Sequence, residues 1–273
     1  LNSTVFLVSK IWEFYTQMVS YLEMAQEASG PDQLREQSLV TYPGLDISKL
    51  NKLAIIGADE EGARLVALCR DLGIEVLAIC DDASDKIGGT VDGLTVSPSD
   101  ALDGLDRSTP IIIASHRVLN VYRILRAKGF ETVAPFLALQ VLYPDRFPPH
   151  MFHEQLMEDM VENVEHYREL NDLLGDDASR DTLNAIMGYR MSSDPLLLDK
   201  VFDHDLYKPK GLFDLTDDEV YIDGGAFDGD TIRLFIDRVK GNFNRVIGFE
   251  PDPVTYKRLC ANFADEPRVE PIN

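Results

Sequence analysis

"VYIDGGAFDGDTIRLF", Val220 to Phe235, runs from a short apolar stretch through a corner of small residues into amphipathic text. Val220–Ile222 reads as a strand, and "DGDTIRLFIDRVKG" carries the apolar spacing of a helix. Between them Gly224, Gly225 and Ala226 let the backbone turn tightly and let a ligand approach the main chain. A helix amino terminus at such a turn favours an anion. Here Asp223, Asp228 and Asp230 crowd the same corner, so a pyrophosphate would be repelled. The pattern repeats downstream: "FNRVIGFEPDP" reads as a strand, "VTYKRLCANFA" as a helix and "RVEPIN" as a third, incoming strand. Strand–helix–strand order at this spacing implies a parallel β-α-β unit that begins near Glu219.

The acids choose the ligand. Glu250 falls at the tip of the second strand, 27 residues after Asp223, where a carboxylate can grip the two hydroxyls of a ribose. A ligand with a cationic sulfonium and an amino-acid ammonium group suits a negative corner, and S-adenosylmethionine has both. Asp223 would accept from the ammonium directly or through water, and backbone N–H groups would meet the ligand's carboxylate. The expected cofactor-binding set is Asp223, Gly224, Gly225, Ala226, Phe227, Gly229, Asp230 and Thr231 at the corner. Glu250, Pro251 and Asp252 complete it at the second strand. The rival reading of the same residues is a Gly-rich helix entry that binds nothing, with Glu250 in a solvated loop.

Residues 51–145 alternate in the same way. "KLAIIGA", "IEVLAICDD", "TPIIIAS" and "ETVAPF" read as strands, and "EEGARLVALCRDLG" and "RVLNVYRILRAKGF" as helices stopped by Gly73 and Gly129. "GADEEG", Gly57 to Gly62, sits where a dinucleotide turn would. Asp59 replaces the second glycine of that turn, which must let a phosphate touch the backbone, so an NAD(P)-dependent enzyme is disfavoured. Gly57, Asp81 and Asp82 form a possible nucleotide-sugar site, and the rival reading is a simple turn on a scaffold without ligand.

The stretch 146–215 reads as helical, with Asp177 or Ser179 as a candidate cap. Within residues 1–50, Phe6, Ile11, Phe14, Met18 and Leu22 fit one helix stripe, suited to packing or to homo-oligomerisation. Lys10 and Glu13 interrupt any signal-peptide core. The His150–His153 pair reads as a helix start. His204 and Asp205 are close enough in sequence to the glycine corner to be candidate bases. Together these segments predict an α/β protein with two Rossmann-like parallel-sheet units joined by a helical segment. The second unit, 216–273, reads as incomplete, because three strands fall short of a usual ligand-binding sheet.

Composition excludes several classes. A formal net charge of −21 makes nucleic acid an unsuitable partner, since phosphate binding runs on Lys and Arg. No apolar run approaches the ~18 residues of a membrane span. Cys69, Cys80 and Cys260 form no CxxC and no Cys/His cluster, so no metal site is expected, and free thiols suit a cytoplasmic location.

Two resemblances sharpen these expectations. At the glycine corner the chain resembles the FkbM-type methyltransferases, whose strand ends Asp-x-Gly-Ala-x-x-Gly-x-Thr and is followed by Glu-Pro-x-Pro and Leu-x-x-Asn. Asp223, Gly225, Ala226, Gly229 and Thr231 match the first part; Glu250, Pro251, Pro253, Leu259 and Asn262 match the rest. The likeness covers residues 165 to 273. It implies an O-methyltransferase that uses S-adenosylmethionine on a hydroxyl of a sugar, glycan or secondary metabolite. The family's later strands are not in this sequence, which implies that the chain by itself is inactive. Residues 51 to 136, with Asp81, Asp82 and the "DGLTV" hairpin, resemble the nucleotide-sugar-binding amino-terminal domains of PglD-type sugar acyltransferases. The alternative function is accordingly a non-catalytic nucleotide-sugar-binding or scaffolding module.

Overall fold

The computed structural model describes residues 20–115, 117–150, 152–202 and 214–273. The chain divides into two compact units, Leu1–Phe202 and Asp203–Asn273.

In the first unit the strands are β1 (Lys52–Ile56), β2 (Glu75–Cys80), β3 (Thr90–Val91), β4 (Leu94–Ser97), β5 (Ile111–Ile113) and β6 (Val133–Pro135). They form one sheet in the order β3-β4-β2-β1-β5-β6. Every pair is parallel except the β3–β4 hairpin. Strand β1 sits at the centre because both its faces find apolar partners. Leu53 and Ile55 join Leu65, Ile79 and Phe136 in one cluster, while Ala54 and Ile56 join Ile113, Leu125 and Phe130 in another. A strand buried on both sides reads as a continuous apolar run rather than as an alternation, which is why "KLAII" shows no period of two.

Helices α1 (Tyr21–Glu27), α2 (Pro31–Ser38), α3 (Glu60–Asp71), α4 (Val118–Ala127) and α5 (Phe136–Leu142) accompany that sheet. Helices α6 (Leu156–Glu162), α7 (Val164–Leu173), α8 (Asp177–Ser192) and α9 (Pro195–Asp199) follow. Met157, Met160, Met187 and Met191 share a buried cluster with Ala25, Leu34 and Val141. The helices after residue 150 are thus packed with α1, α2 and α5. Two local expectations change. The cap of α8 is Asp176, whose side chain accepts from the Ser179 N–H at 2.8 Å, rather than Asp177 or Ser179. His150 starts no helix: its ring meets Glu61 at 2.6 Å, and α6 begins six residues later.

A polar seam lies inside this unit. The Tyr42 hydroxyl donates to the Ser193 carbonyl at 3.1 Å, and Asp194, only 2% exposed, caps α9 by accepting from the Leu196 N–H at 2.9 Å. Burial pushes the Asp194 carboxyl above its ordinary value; the Leu196 N–H, Lys200 and Arg126 pull the other way. Tyr21, Tyr42 and Tyr122 stand within its electrostatic reach. A carboxyl raised in the folded state binds its proton more tightly folded than unfolded. Its contribution is fully present below the unfolded value of 3.8 and is lost as pH rises through the folded one. Asp194→Asn keeps a capping oxygen and removes the buried charge. The expected result is a higher urea midpoint than wild type at pH 7 and no such gain at pH 3.5, followed by circular dichroism.

The second unit has strands β7 (Val220–Gly224), β8 (Arg245–Phe249) and β9 (Val269–Ile272), joined by helices α10 (Asp230–Arg238) and α11 (Pro253–Asn262). The strands are parallel and in sequence order. Ala226, Ile232, Phe235, Val246, Leu259 and Val269 form its core. Tyr221 stacks on Phe235 with centroids 4.5 Å apart, and the Arg268 guanidinium lies 3.9 Å from the Phe243 ring centre. Val220, Ile222 and Phe249 are exposed. Among the described residues no helix is long and apolar enough to cross a membrane.

Candidate functional site

The glycine corner connects β7 to α10 at the carboxyl ends of the strands, where ligands of open parallel sheets bind. Gly225 has φ +86°, and a Cβ there would meet nothing within 4 Å. Backbone geometry demands glycine at 225 while the space beside it stays open. Gly229 shares that φ of +86°, and a Cβ there would in addition lie 2.1 Å from the Phe263 ring, so that glycine serves helix packing as well.

Each acid has a defined neighbour. Asp223, 9% exposed, is the last residue but one of its strand, with one oxygen accepting from the Thr231 hydroxyl. Glu250, 8% exposed, joins two loops. One carboxylate oxygen accepts from the Phe227 N–H and the other from the Asp252 N–H, both at 2.8 Å. A carboxylate oxygen accepts two hydrogen bonds, so both Glu250 oxygens keep capacity for a further donor. Asp252 caps α11, accepting from the Thr255 N–H at 2.7 Å and from its hydroxyl at 2.6 Å. Those two bonds hold the Asp252 carboxyl below its usual value. Pro253 fills the first helical position, where a missing N–H costs nothing.

Asn262 extends the corner. Its side-chain amide donates to the Asp228 carbonyl at 2.8 Å, tying the far end of α11 to the loop, and Arg233 pairs with the Asp228 carboxylate at 2.8 Å. Asp230, in the first turn of α10, accepts from the Thr231 N–H at 2.9 Å. The residues expected from sequence are therefore brought together: Asp223, Gly224, Gly225, Ala226, Phe227, Gly229, Asp230 and Thr231 form one turn, bound through Glu250 to Pro251 and Asp252. One expectation needs correction. The N–H groups of Gly225 and Ala226 donate to the Phe249 carbonyl, each at 2.8 Å, and that of Gly229 to Ala226 at 2.7 Å. With Phe227 on Glu250, these four amides already have partners, so a ligand carboxylate has to find others.

Sequence reasoning missed the backbone of Phe227. Its φ is +48°, a conformation costly for a bulky side chain. No residue pattern announces it, although a non-glycine two places after a turning glycine is where such a conformation can fall.

The first unit treats its acids differently. Burial pushes the Asp81 carboxyl up, but N–H bonds from Ala58 and Ala83 and the Lys86 ammonium outweigh it and hold it below the ordinary value. Lys86 lies 3.1 Å from Asp81 and 2.6 Å from Asp59. The position that a dinucleotide turn gives to a second glycine thus holds an ion cluster. Asp82 accepts from the Ser99 N–H at 2.9 Å and hydroxyl at 2.8 Å, which caps the short turn of helix at Ser99–Gly104. Gly57 is held by packing: a Cβ on Gly62 would lie 1.9 Å from the Gly57 oxygen, and one on Gly57 2.2 Å from the Ala114 oxygen. Gly57, Asp81 and Asp82 all stand at the carboxyl end of the sheet; both carboxylates are hydrogen-bonded within the protein, and Asp82, with one bond on each oxygen, keeps acceptor capacity as Glu250 does.

Burial pushes the Cys69 thiol up to about 12 and the Cys80 thiol up to about 11, which leaves neither as a nucleophile near neutrality. Among the described residues, no group of three or more His, Cys, Asp and Glu is placed to hold a metal ion. The candidate bases His204 and Asp205 lie outside the described residues, as do Phe6, Ile11, Phe14 and Met18 of the amino-terminal stripe.

No protein-family model matches the chain, and no curated protein matches it. A solved structure does. The crystal structure of the methyltransferase FkbM from Methylobacillus flagellatus KT is 23% identical, with a TM-score of 0.63. The similarity covers 93% of this chain and 71% of that one. The fold is shared. The chain is an α/β protein with a Rossmann-like sheet, and the likeness takes in both units.

Proposed function

We propose that the second unit binds S-adenosylmethionine and that the protein is an O-methyltransferase acting on a hydroxyl of a sugar, glycan or secondary metabolite. The observation that carries this reading is Glu250: a buried carboxylate at a strand tip, fixed by two backbone N–H groups, with acceptor capacity left on both oxygens. Beside it lie the open backbone of Gly224 and Gly225 and a second buried carboxylate, Asp223. A ribose diol answers the first carboxylate and an ammonium the second. The shared fold with a methyltransferase points the same way.

When bound, S-adenosylmethionine supplies an activated methyl group for the acceptor oxygen. The chain's own residues would do the aligning. Glu250 holds the ribose, and Asp223, oriented by Thr231, holds the ammonium. Asn262 and Arg233 keep the loop at Asp228 from moving. Fixing a donor in one geometry is where much of the acceleration of a group transfer arises. We place the reaction in the cytoplasm, where three free thiols persist.

Calorimetric titration tests the reading. S-adenosylhomocysteine, which keeps the ribose and the amino-acid group, is expected to bind with a stoichiometry of one, whereas NAD, whose pyrophosphate meets the acidic corner, is expected not to bind. NAD binding without S-adenosylhomocysteine binding would overturn the assignment.

A further inference from the structure

A cleft in the first unit takes no part in the adenosyl site. It has a volume of about 420 Å³, within the roughly 300–1,000 Å³ of small-molecule sites. Helices α1, α7 and α8 build it, and packing fixes their approach. The Tyr21 N–H donates to Asn184 Oδ1 at 2.8 Å, which ties the start of α1 to α8. Gly188 makes room for that tie, since a Cβ there would lie 2.4 Å from the Tyr21 ring. Leu22, Leu183 and Met187 form an apolar floor that belongs to the methionine-rich cluster.

The polar lining defines the ligand. Glu23, Asn171 and Asp181 stand on the walls, and their side chains make no hydrogen bond or ion pair with any described residue. Arg168 and Arg180 complete the lining, each with a counter-charge outside the cleft. Glu165 accepts from Arg168 Nε at 2.9 Å, and Asp177 accepts from Arg180 at 3.1 Å. A guanidinium carries five N–H donors, so both keep donors to spare. With those two charges balanced, Glu23 and Asp181 leave the cleft negative, which disfavours an anion. What remains is a mixture of donors and acceptors around an apolar floor. A hydroxyl both gives and accepts a hydrogen bond, and a sugar carries several of them around an apolar ring face.

We propose that this cleft binds a neutral saccharide, one of the acceptor classes named for the methyltransferase. The methyltransferase reading gives the site its purpose; the binding itself rests on the lining and needs no adenosyl ligand. The first unit then selects the acceptor, and the second holds the methyl donor. Uronic acids, sialic acids and phosphorylated sugars are turned away by the same two carboxylates.

An array of neutral and acidic oligosaccharides, probed with the full chain and no cofactor, tests the proposal. Wild type is expected to bind neutral glycans and to pass over those that carry uronate or sialate. The tightest of these glycans is then titrated by calorimetry into Asn171→Ala, Asp181→Ala and Asp172→Ala, with circular dichroism to check folding. The first two variants are each expected to weaken binding about five- to thirtyfold. Asp172 lies on α7 but outside the cleft, and its loss should change affinity by less than about twofold. Binding to no glycan, or a preference for acidic ones, overturns the proposal. So does an affinity that survives both Asn171→Ala and Asp181→Ala, or one that falls equally with Asp172→Ala. Failure to bind S-adenosylhomocysteine would instead overturn the methyltransferase reading and leave the saccharide site standing.

Discussion

Glu250→Ala is expected to weaken S-adenosylhomocysteine binding by on the order of ten- to a hundredfold, or about 1.5–3 kcal/mol. The loss has two sources. The ribose hydroxyls lose their acceptor, and the N–H groups of Phe227 and Asp252 lose the oxygens that fix both loops. Glu250→Gln separates them, because an amide offers one acceptor oxygen in place of two, and it should fall between wild type and alanine. Asp81→Ala is the control from the other sheet. It removes the acceptor of the Ala58 and Ala83 amides, each bonded at 2.9 Å, and should lower stability while leaving adenosyl affinity within about twofold, since separate sites rarely couple strongly. Calorimetry on the three variants decides the matter: an alanine variant at Glu250 that binds like wild type would refute the ribose assignment.

Gly62→Ala should cost the first unit roughly 3 kcal/mol or more, because overpacking against backbone has no cheap relief. The added methyl would sit 1.9 Å from the Gly57 carbonyl oxygen, so α3 has to move away from the end of β1. For a unit of this size the midpoint of thermal unfolding should drop by about 6–12 °C. Gly30→Ala is the comparison, since a Cβ there meets nothing within 4 Å. Equal midpoints for Gly62→Ala and wild type, by scanning calorimetry, would mean that α3 does not approach the end of β1 closely enough to exclude a methyl group.

That pair of glycines also shows what a sequence can and cannot disclose. Gly57 and Gly62 stand at the spacing of a nucleotide turn, yet their common task is to let one helix approach one strand. The spacing is visible in the text; the contact with Ala114 that makes it obligatory comes from the residue that follows β5, more than 50 residues on. The strands β1, β2, β5 and β6 were legible as apolar runs, and Asp223 and Glu250 as acids at strand tips, because those signals are local. The break at Asn163, between α6 and α7, was not legible, since the apolar spacing continues through it. Nor was the grip of Glu250 on Phe227, which depends on two loops meeting across the sheet.

The hydrogen-bond inventory of the corner has a consequence for what it can select. The N–H groups of Gly225, Ala226, Phe227, Gly229 and Thr231 are spoken for within the protein, so the turn has few protons of its own to offer. What it presents is an excess of lone pairs, on Asp223, Asp228, Asp230 and Glu250. A surface of that kind sorts ligands by the protons they bring. The adenosyl ligand arrives with two ribose hydroxyls and an ammonium, whereas a phosphate ester arrives with oxygens that duplicate what is already there. The acidity that makes the turn unlike a phosphate cradle becomes, on this account, its means of discrimination.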